Sequence, residues 1–231
     1  DLTALSKSDV SDKKIVDLFP RARFPEDIAE DLRAYLTQVQ YPLAIRSSGL
    51  LEDAQFRAYA GLYRTYLVPN DHPDLEVRLE KLLAAIKGVY ASSYFQGVKG
   101  FARRVGHRTE DEKMAVIIQQ LIGQAYGNYF YPAISGVAQS HNYYPFSYMK
   151  PEDGIVNVAL GFGKMVTESE KTLRFCPKYP QLLPQRSTVD DILENAQNFF
   201  YVMKLGDCSS QVDVNEDATL EKREISAAVE E

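Results

Sequence analysis

The chain has 231 residues, enough for one large domain or two small ones with a real core. Its 45% hydrophobic and 25% charged residues are ordinary for a soluble globular protein. A net charge of −6 without a concentrated basic face excludes a nucleic-acid surface. Apolar runs such as Met114 to Ile118 are too short to cross a bilayer. Cys176 and Cys208 lie far apart in no CxxC pattern, so a disulfide framework is not expected and a reducing cytoplasm is. His72, His107 and His141 lack ligand spacing with each other or with the cysteines, and no metal ligand is expected among them. No signal peptide is visible. The start at Asp1 is expected to be a cut within a longer protein, although processing gives the same appearance.

In chain order, residues 1–24 read as a polar linker with one apolar knot at Ile15, Val16, Leu18 and Phe19, and with Arg21 and Arg23 in solvent. Pro25 suits the first position of a helix, Glu26, Asp27 and Glu30 suit its positive end, and Ile28, Leu32, Tyr35, Leu36 and Val39 recur at helical spacing. Strand-like runs follow at Pro42 to Ile45 and Leu62 to Val68. Pro73 opens a long helix with Leu75, Leu79, Leu82, Leu83, Ile86, Val89 and Tyr90 on one face and Arg78, Lys81 and Lys87 assigned to solvent. Tyr94, Phe95 and Phe101 extend that pattern toward Gly106. Arg103, Arg104, His107 and Arg108 form a basic cluster that either meets phosphate or is a surface patch balanced by Glu110, Asp111 and Glu112.

Lys113 to Ile122 is a β-branched run suited to a central strand. Tyr126, Tyr129, Tyr131, Tyr143, Tyr144 and Tyr148 suit half-buried hairpin positions, or a stacked base or sugar. Ala133 to Ser140 and Gly154 to Leu160 read as strands, the second running into Gly161-Phe162-Gly163-Lys164, which has neither P-loop nor dinucleotide spacing. Pro177, Pro180 and Pro184 mark an extended crossing. Ser187 and Thr188 with Asp190 and Asp191 start a helix whose apolar face is assigned to Val189, Ile192, Leu193, Ala196, Phe199, Phe200 and Met203. From Asp207 the tail holds eight acids against two bases and is expected to be loosely held.

The chemistry-bearing stretch is Tyr41 to Tyr66. Arg46 ends a buried run, where a guanidinium is costly without an anionic partner. Ser47 and Ser48 follow, then the pair Glu52-Asp53 and a small-residue turn at Tyr59-Ala60-Gly61. Glycine lets backbone N–H groups come close to a phosphate. On composition alone, an arginine followed by two serines is more often a surface turn.

The ordered segment from Ile45 to Leu67 resembles the nucleotide-binding domain of phosphoenolpyruvate synthase and pyruvate phosphate dikinase. The likeness continues in Met114 to Gln119, in Ser135-Gly136-Val137 and in Gly161-Phe162-Gly163, and covers roughly residues 41–180. It implies an α+β, ATP-grasp-like fold that is incomplete here. The expected organisation is a linker over 1–24, a nucleotide-binding portion over 25–206 and an acidic tail over 207–231.

ATP is the implied cofactor, held between two α+β lobes, with Mg2+ whose ligands are expected outside these residues. On matching positions Arg46 would contact the ATP phosphates as the catalytic cation, Gly61 would lie in the loop over them, and Thr65 would hydrogen-bond nearby. Gln119, Gln120 and Leu121 would meet adenine through backbone groups. The implied partners are a phosphocarrier histidine domain and a pyruvate-binding domain of the parent chain, with no nucleic acid and no membrane; a homodimer is admitted.

The sequence departs from the family where Ala138-Gln139 replaces Phe-Thr and where Lys164 replaces an acid. The family's Gly-Gly-Lys lysine, its acidic metal ligands with Gln-x-Arg, and its phosphocarrier histidine have no counterpart; Lys13-Lys14 and Asp213 to Glu216 lack the context. The chain is therefore expected to be inactive alone, as part of a kinase-type phosphotransferase acting on pyruvate and water-type acceptors. The alternatives are a non-catalytic nucleotide sensor or interaction module, and the ATP domain of a related antibiotic phosphotransferase.

Overall fold

Acidic residues in the first turn and an apolar stripe make a helix that can only bury its stripe against another element. In the computed structural model, which describes residues 2–50, 52, 61–106, 113–167, 171–206 and 219–229, that rule organises the first of two units. This unit comprises Asp1–Leu121 with Leu205–Thr219; the second comprises Ile122–Lys204 with Leu220–Glu231. In the first, α1 (Leu2–Lys7), α2 (Asp12–Leu18) and α3 (Glu26–Gln38) precede β1 (Leu43–Gly49) and β2 (Tyr66–Val68). Then come α4 (Leu75–Ser92), α5 (Gln96–Val105) and β3 (Met114–Gln120).

The strands form an antiparallel sheet in the order β2-β1-β3. Leu43 and Ile45 of β1 and Tyr66 and Val68 of β2 are buried with Leu36, Val39, Leu79, Leu82, Ala85, Ile86 and Val89 of the helical layer. Met114, Val116 and Ile118 of β3 pack on the same core. Within this core cluster the sheet contributes one set of alternate strand positions.

Several expectations change in this unit. Pro25 is the residue before α3 rather than inside it. The second strand is shorter than Leu62 to Val68, spanning Tyr66–Val68. β3 lies at the sheet's edge among the described residues, and β1, which pairs with both neighbours, is the middle strand. The long helix breaks after Ser92 and restarts at Gln96.

Arg78 and Lys81, assigned to solvent, are buried at 6% and 8% exposure. Arg78 Nη1 donates to Leu36 O at 3.0 Å, Val39 O at 2.9 Å and Asn70 Oδ1 at 3.4 Å, so the cation satisfies carbonyls at the negative end of α3. Part of the segment expected to be a linker is packed. Ile15 and Val16 are buried with Ala91 and Phe95. The Gln96 side chain donates to Val10 O at 2.8 Å, and Lys99 Nζ donates to Ser8 O at 3.0 Å. Burial, followed by the nearby Arg103, lowers the Lys99 ammonium's pKa from its ordinary value.

The second unit holds β4 (Gln124–Tyr126), β5 (Tyr129–Tyr131), β6 (Ser135–Gln139), β7 (Ile155–Ala159), α6 (Lys164–Thr167) and β8 (Leu173–Phe175). It is completed by α7 (Val189–Asn195), β9 (Phe199–Lys204), β10 (Leu220–Glu224) and α8 (Ile225–Val229). Its sheets run β10-β9-β5-β4 and β6-β7-β8, antiparallel throughout.

Thr188 caps α7 as expected, accepting from Asp191 N at 3.1 Å while Asp191 Oδ2 accepts from Thr188 N at 2.9 Å. The helix nevertheless stops at Asn195, with Val189 and Leu193 exposed. Phe199, Phe200 and Met203, assigned to its apolar face, instead lie in the strand Phe199–Lys204, where Phe200, Val202 and Met203 are fully buried. Aromatic and β-branched side chains suit a paired strand, and here β5 and β10 supply the pairing. Part of the acidic tail is likewise held. β10 pairs with β9, and Lys222 and Arg223 lie over the rings of Phe199 and Tyr129 at 3.2 and 4.1 Å. Residues 207–218 and 230–231, including Cys208 and Asp213 to Glu216, lie outside the described residues.

The tyrosine stretch divides in two. Tyr126 stacks on Tyr131 at 4.4 Å in the β4–β5 hairpin, as its composition predicts, whereas Tyr143, Tyr144 and Tyr148 are exposed in the loop before β7. Beneath that loop Lys178 Nζ meets Asp153 Oδ1 at 2.7 Å. The hydrogen bond from Lys178, then that from the Lys150 backbone, lowers the Asp153 carboxyl's pKa.

Candidate functional site

Period-two alternation sorts the Arg46-Ser47-Ser48 element before any ligand is considered. Ser47 falls on the core side with Leu43 and Ile45, and Arg46 and Ser48 fall on the opposite, open face. β3 contributes Ala115, Ile117 and Gln119 to that same face, with Ile117 paired across from Arg46 and Gln119 across from Ala44. Arg46 Nη1 donates to Gln119 Oε1 at 3.3 Å, so two of the expected site residues meet directly. Among the described residues Arg46 makes no ion pair. The guanidinium is exposed, and among the described residues most of its N–H donors are uncommitted.

Thr65 immediately precedes β2, and one step past the Ile45–Tyr66 pair the antiparallel register sets it opposite Arg46. Gly61 lies four residues earlier in an exposed turn at φ +73°, where a side chain would be strained although a Cβ would meet nothing within 4 Å. It makes no hydrogen bond with the other candidates among the described residues. Tyr59, Ala60 and Asp53 of the same motif lie outside those residues, as do His107, Arg108, Glu110, Asp111 and Glu112.

At the end of β3 the ladder separates the three residues expected to meet adenine. Leu121 N donates to Pro42 O at 2.9 Å and is therefore committed to β1. Residues directly opposite in an antiparallel pair alternate between hydrogen-bonded and non-hydrogen-bonded. Because Leu121 and Lys113 are in bonded pairs, Gln120 is not, and its backbone N–H and C=O point away from β1, to an edge of β3 that pairs with no strand among the described residues. Of the three, Gln120 offers the available main-chain donor and acceptor.

Glu52, the first residue of the motif's acidic pair, has a structural role that the motif alone does not assign. Its Oε1 accepts from Ser47 Oγ at 3.0 Å and its Oε2 from Gly49 N at 3.1 Å, folding the end of β1 back on itself. A glutamate three residues after a glycine at a strand end was the available signal. Its carboxylate is thereby occupied, and no group of three His, Cys, Asp or Glu side chains among the described residues is placed to hold a metal ion. The donor set therefore fits an anionic, hydrogen-bonding ligand such as a nucleotide, but it does not by itself build a Mg2+ cage.

At the level of class this is an α+β protein with small antiparallel sheets, one of which carries an exposed arginine at a position alternate to its core-facing residues. The chain belongs to the family of the pyruvate phosphate dikinase AMP/ATP-binding domain, whose model matches residues 1–228. That match extends beyond residues 41–180 on both sides. A relative described as "Uncharacterized phosphotransferase YvkC", from Bacillus subtilis (strain 168), is 25% identical over 151 residues. The aligned part is 62% of this chain and 16% of the relative, so the chain spans about a sixth of that protein's length. No described helix is long and apolar enough to cross a membrane.

Proposed function

We propose that this chain is the ATP-binding portion of a phosphoenolpyruvate synthase-like phosphotransferase, with Arg46 as its phosphate ligand. The observation that carries this is the exposed Arg46 guanidinium, bonded to Gln119 and without an ion pair among the described residues, in a chain of an AMP/ATP-binding family. A guanidinium stays protonated in any phosphate environment and matches phosphate oxygens bidentately. Gly61 bears no Cβ in the turn that would lie over the phosphates, and Thr65, next to Arg46 in the register, would add a hydroxyl. Gln120, with its main-chain groups on the free edge, would pair the base, flanked by Gln119 and Leu121.

ATP supplies the transferable phosphoryl group when bound. Arg46 would orient the phosphates and offset negative charge gathering on them. In the whole protein the group would pass to a histidine of another domain and on to pyruvate, with Mg2+ ligands supplied outside the described residues. The nucleotide-binding portion would run over residues 25–206, in the cytoplasm, with a homodimer as one assembly.

Calorimetry with Mg-ATP on this chain tests the site. Removing one charge-assisted phosphate contact should weaken binding about tenfold or more in Arg46→Ala. Equal affinity in the two proteins would remove Arg46 from the site, and absence of binding in both would contradict a nucleotide site carried by this chain.

A further inference from the structure

We propose that a cavity in the second unit, beneath the exposed tyrosine loop, binds a small aromatic carboxylate whose acid group is held by Arg174. The cavity measures about 250 Å³. That is just under the roughly 300–1,000 Å³ of sites for drug-sized ligands, room for one ring with a short acid arm rather than for a nucleoside triphosphate.

Its apolar walls are Tyr144, Phe146, Met149, Ile155 and Phe175, which favour a flat, apolar body. Its polar lining is one-sided. Arg174, Asn142 and Gln185 all reach it, and among the described residues no carboxylate lines it. Asp153 is already engaged by Lys178 Nζ at 2.7 Å and Lys150 N at 2.8 Å.

The three polar groups each keep donors unspent. The half-buried Arg174 guanidinium has no hydrogen bond or ion pair among the described residues; its backbone N–H alone is used, donating to Gln185 Oε1 at 3.0 Å. That bond fixes the Gln185 amide with its oxygen occupied and its NH2 left over. Asn142 is 1% exposed; its Oδ1 accepts from Tyr144 N at 3.0 Å and its backbone N–H donates to Pro151 O at 2.7 Å, while its side-chain NH2 makes no hydrogen bond among the described residues. An anion gains charge-assisted hydrogen bonds where a guanidinium and amide donors have no acceptor among the described residues. A carboxylate entering among them would satisfy all three, while the ring replaces water against the aromatic walls. Tyr144 and Phe146, which line the cavity, are exposed, and a bound ring would cover part of them.

Phenylacetate is the probe, read by the Met149 methyl resonance in protein labelled at its methionine methyls. The expected result is a saturable shift at Met149, absent at Met114, with about tenfold weaker binding in Arg174→Gln and no change in Arg46→Ala. Phe146→Ala should also weaken binding, through the wall rather than the acid. Circular dichroism of the variants controls for folding. The neutral analogue benzyl alcohol should bind far more weakly than phenylacetate. No saturable shift at millimolar phenylacetate, equal binding by Arg174→Gln, or a preference for benzyl alcohol or phenyl phosphate would each overturn the assignment.

Discussion

Gly161→Ala should destabilise the protein by about 3 kcal/mol, because two costs add at one atom. Gly161 has φ +81°, a conformation that costs an L side chain on the order of 1 kcal/mol. Its Cβ would also stand 2.7 Å from Tyr201 O and 3.0 Å from Phe200 Cβ, both in β9. The carbonyl cannot easily retreat, since it accepts from Phe162 N at 3.0 Å, and Gly161 N is itself tied to Pro132 O at 3.2 Å. Forced overpacking of this kind typically costs about 1–3 kcal/mol. Urea unfolding followed by circular dichroism measures it; a loss under about 0.5 kcal/mol would show that β9 yields without strain. The Gly161-Phe162-Gly163-Lys164 motif thus has a packing reason to exist that asks nothing of a ligand.

Arg78→Met should cost about 2–3 kcal/mol, measured the same way, even though methionine fills most of the volume and carries no charge to bury. Replacing a buried ion by an apolar group is often harmless when its partner leaves with it. Here the partners remain. Leu36 O would lose its donor at the end of α3, and Val39 O would keep only Asn70 Nδ2 at 3.1 Å. These carbonyls sit just before β1, so the same substitution should loosen the strand that carries Arg46. A neutral result would mean that water takes over both carbonyls at no net cost.

Much of the scaffold was legible because it follows from local period. The α3 stripe, the β1 run, the β-branched β3 and the capping box at Thr188 each depend on neighbours within a few residues. The errors share a different cause, namely partners far away in sequence. Arg78 looked solvated because its acceptors, Leu36 and Val39, are about forty positions upstream. Phe199 to Met203 continued the spacing of α7 well enough to pass for its face; β5 and β10, which make it a strand, lie about 70 residues before and 20 after.

Within the site, the alternation that puts Arg46 and Ser48 on one face and Ser47 on the other was readable from the strand period. That Gln120 rather than Leu121 keeps its main-chain groups available was not, because hydrogen-bond phase depends on the register with β1. The arginine-holding cavity likewise joins residues from 142 to 185 that no motif links.

The sharpest measurement compares ATP with adenosine in two proteins. If Arg46 grips phosphate, the unmodified chain should prefer Mg-ATP to adenosine by calorimetry, and Arg46→Ala should lose about tenfold or more of that preference while holding adenosine as before. A variant that keeps the full preference for the triphosphate would contradict the account, and the phosphate would have to be held elsewhere.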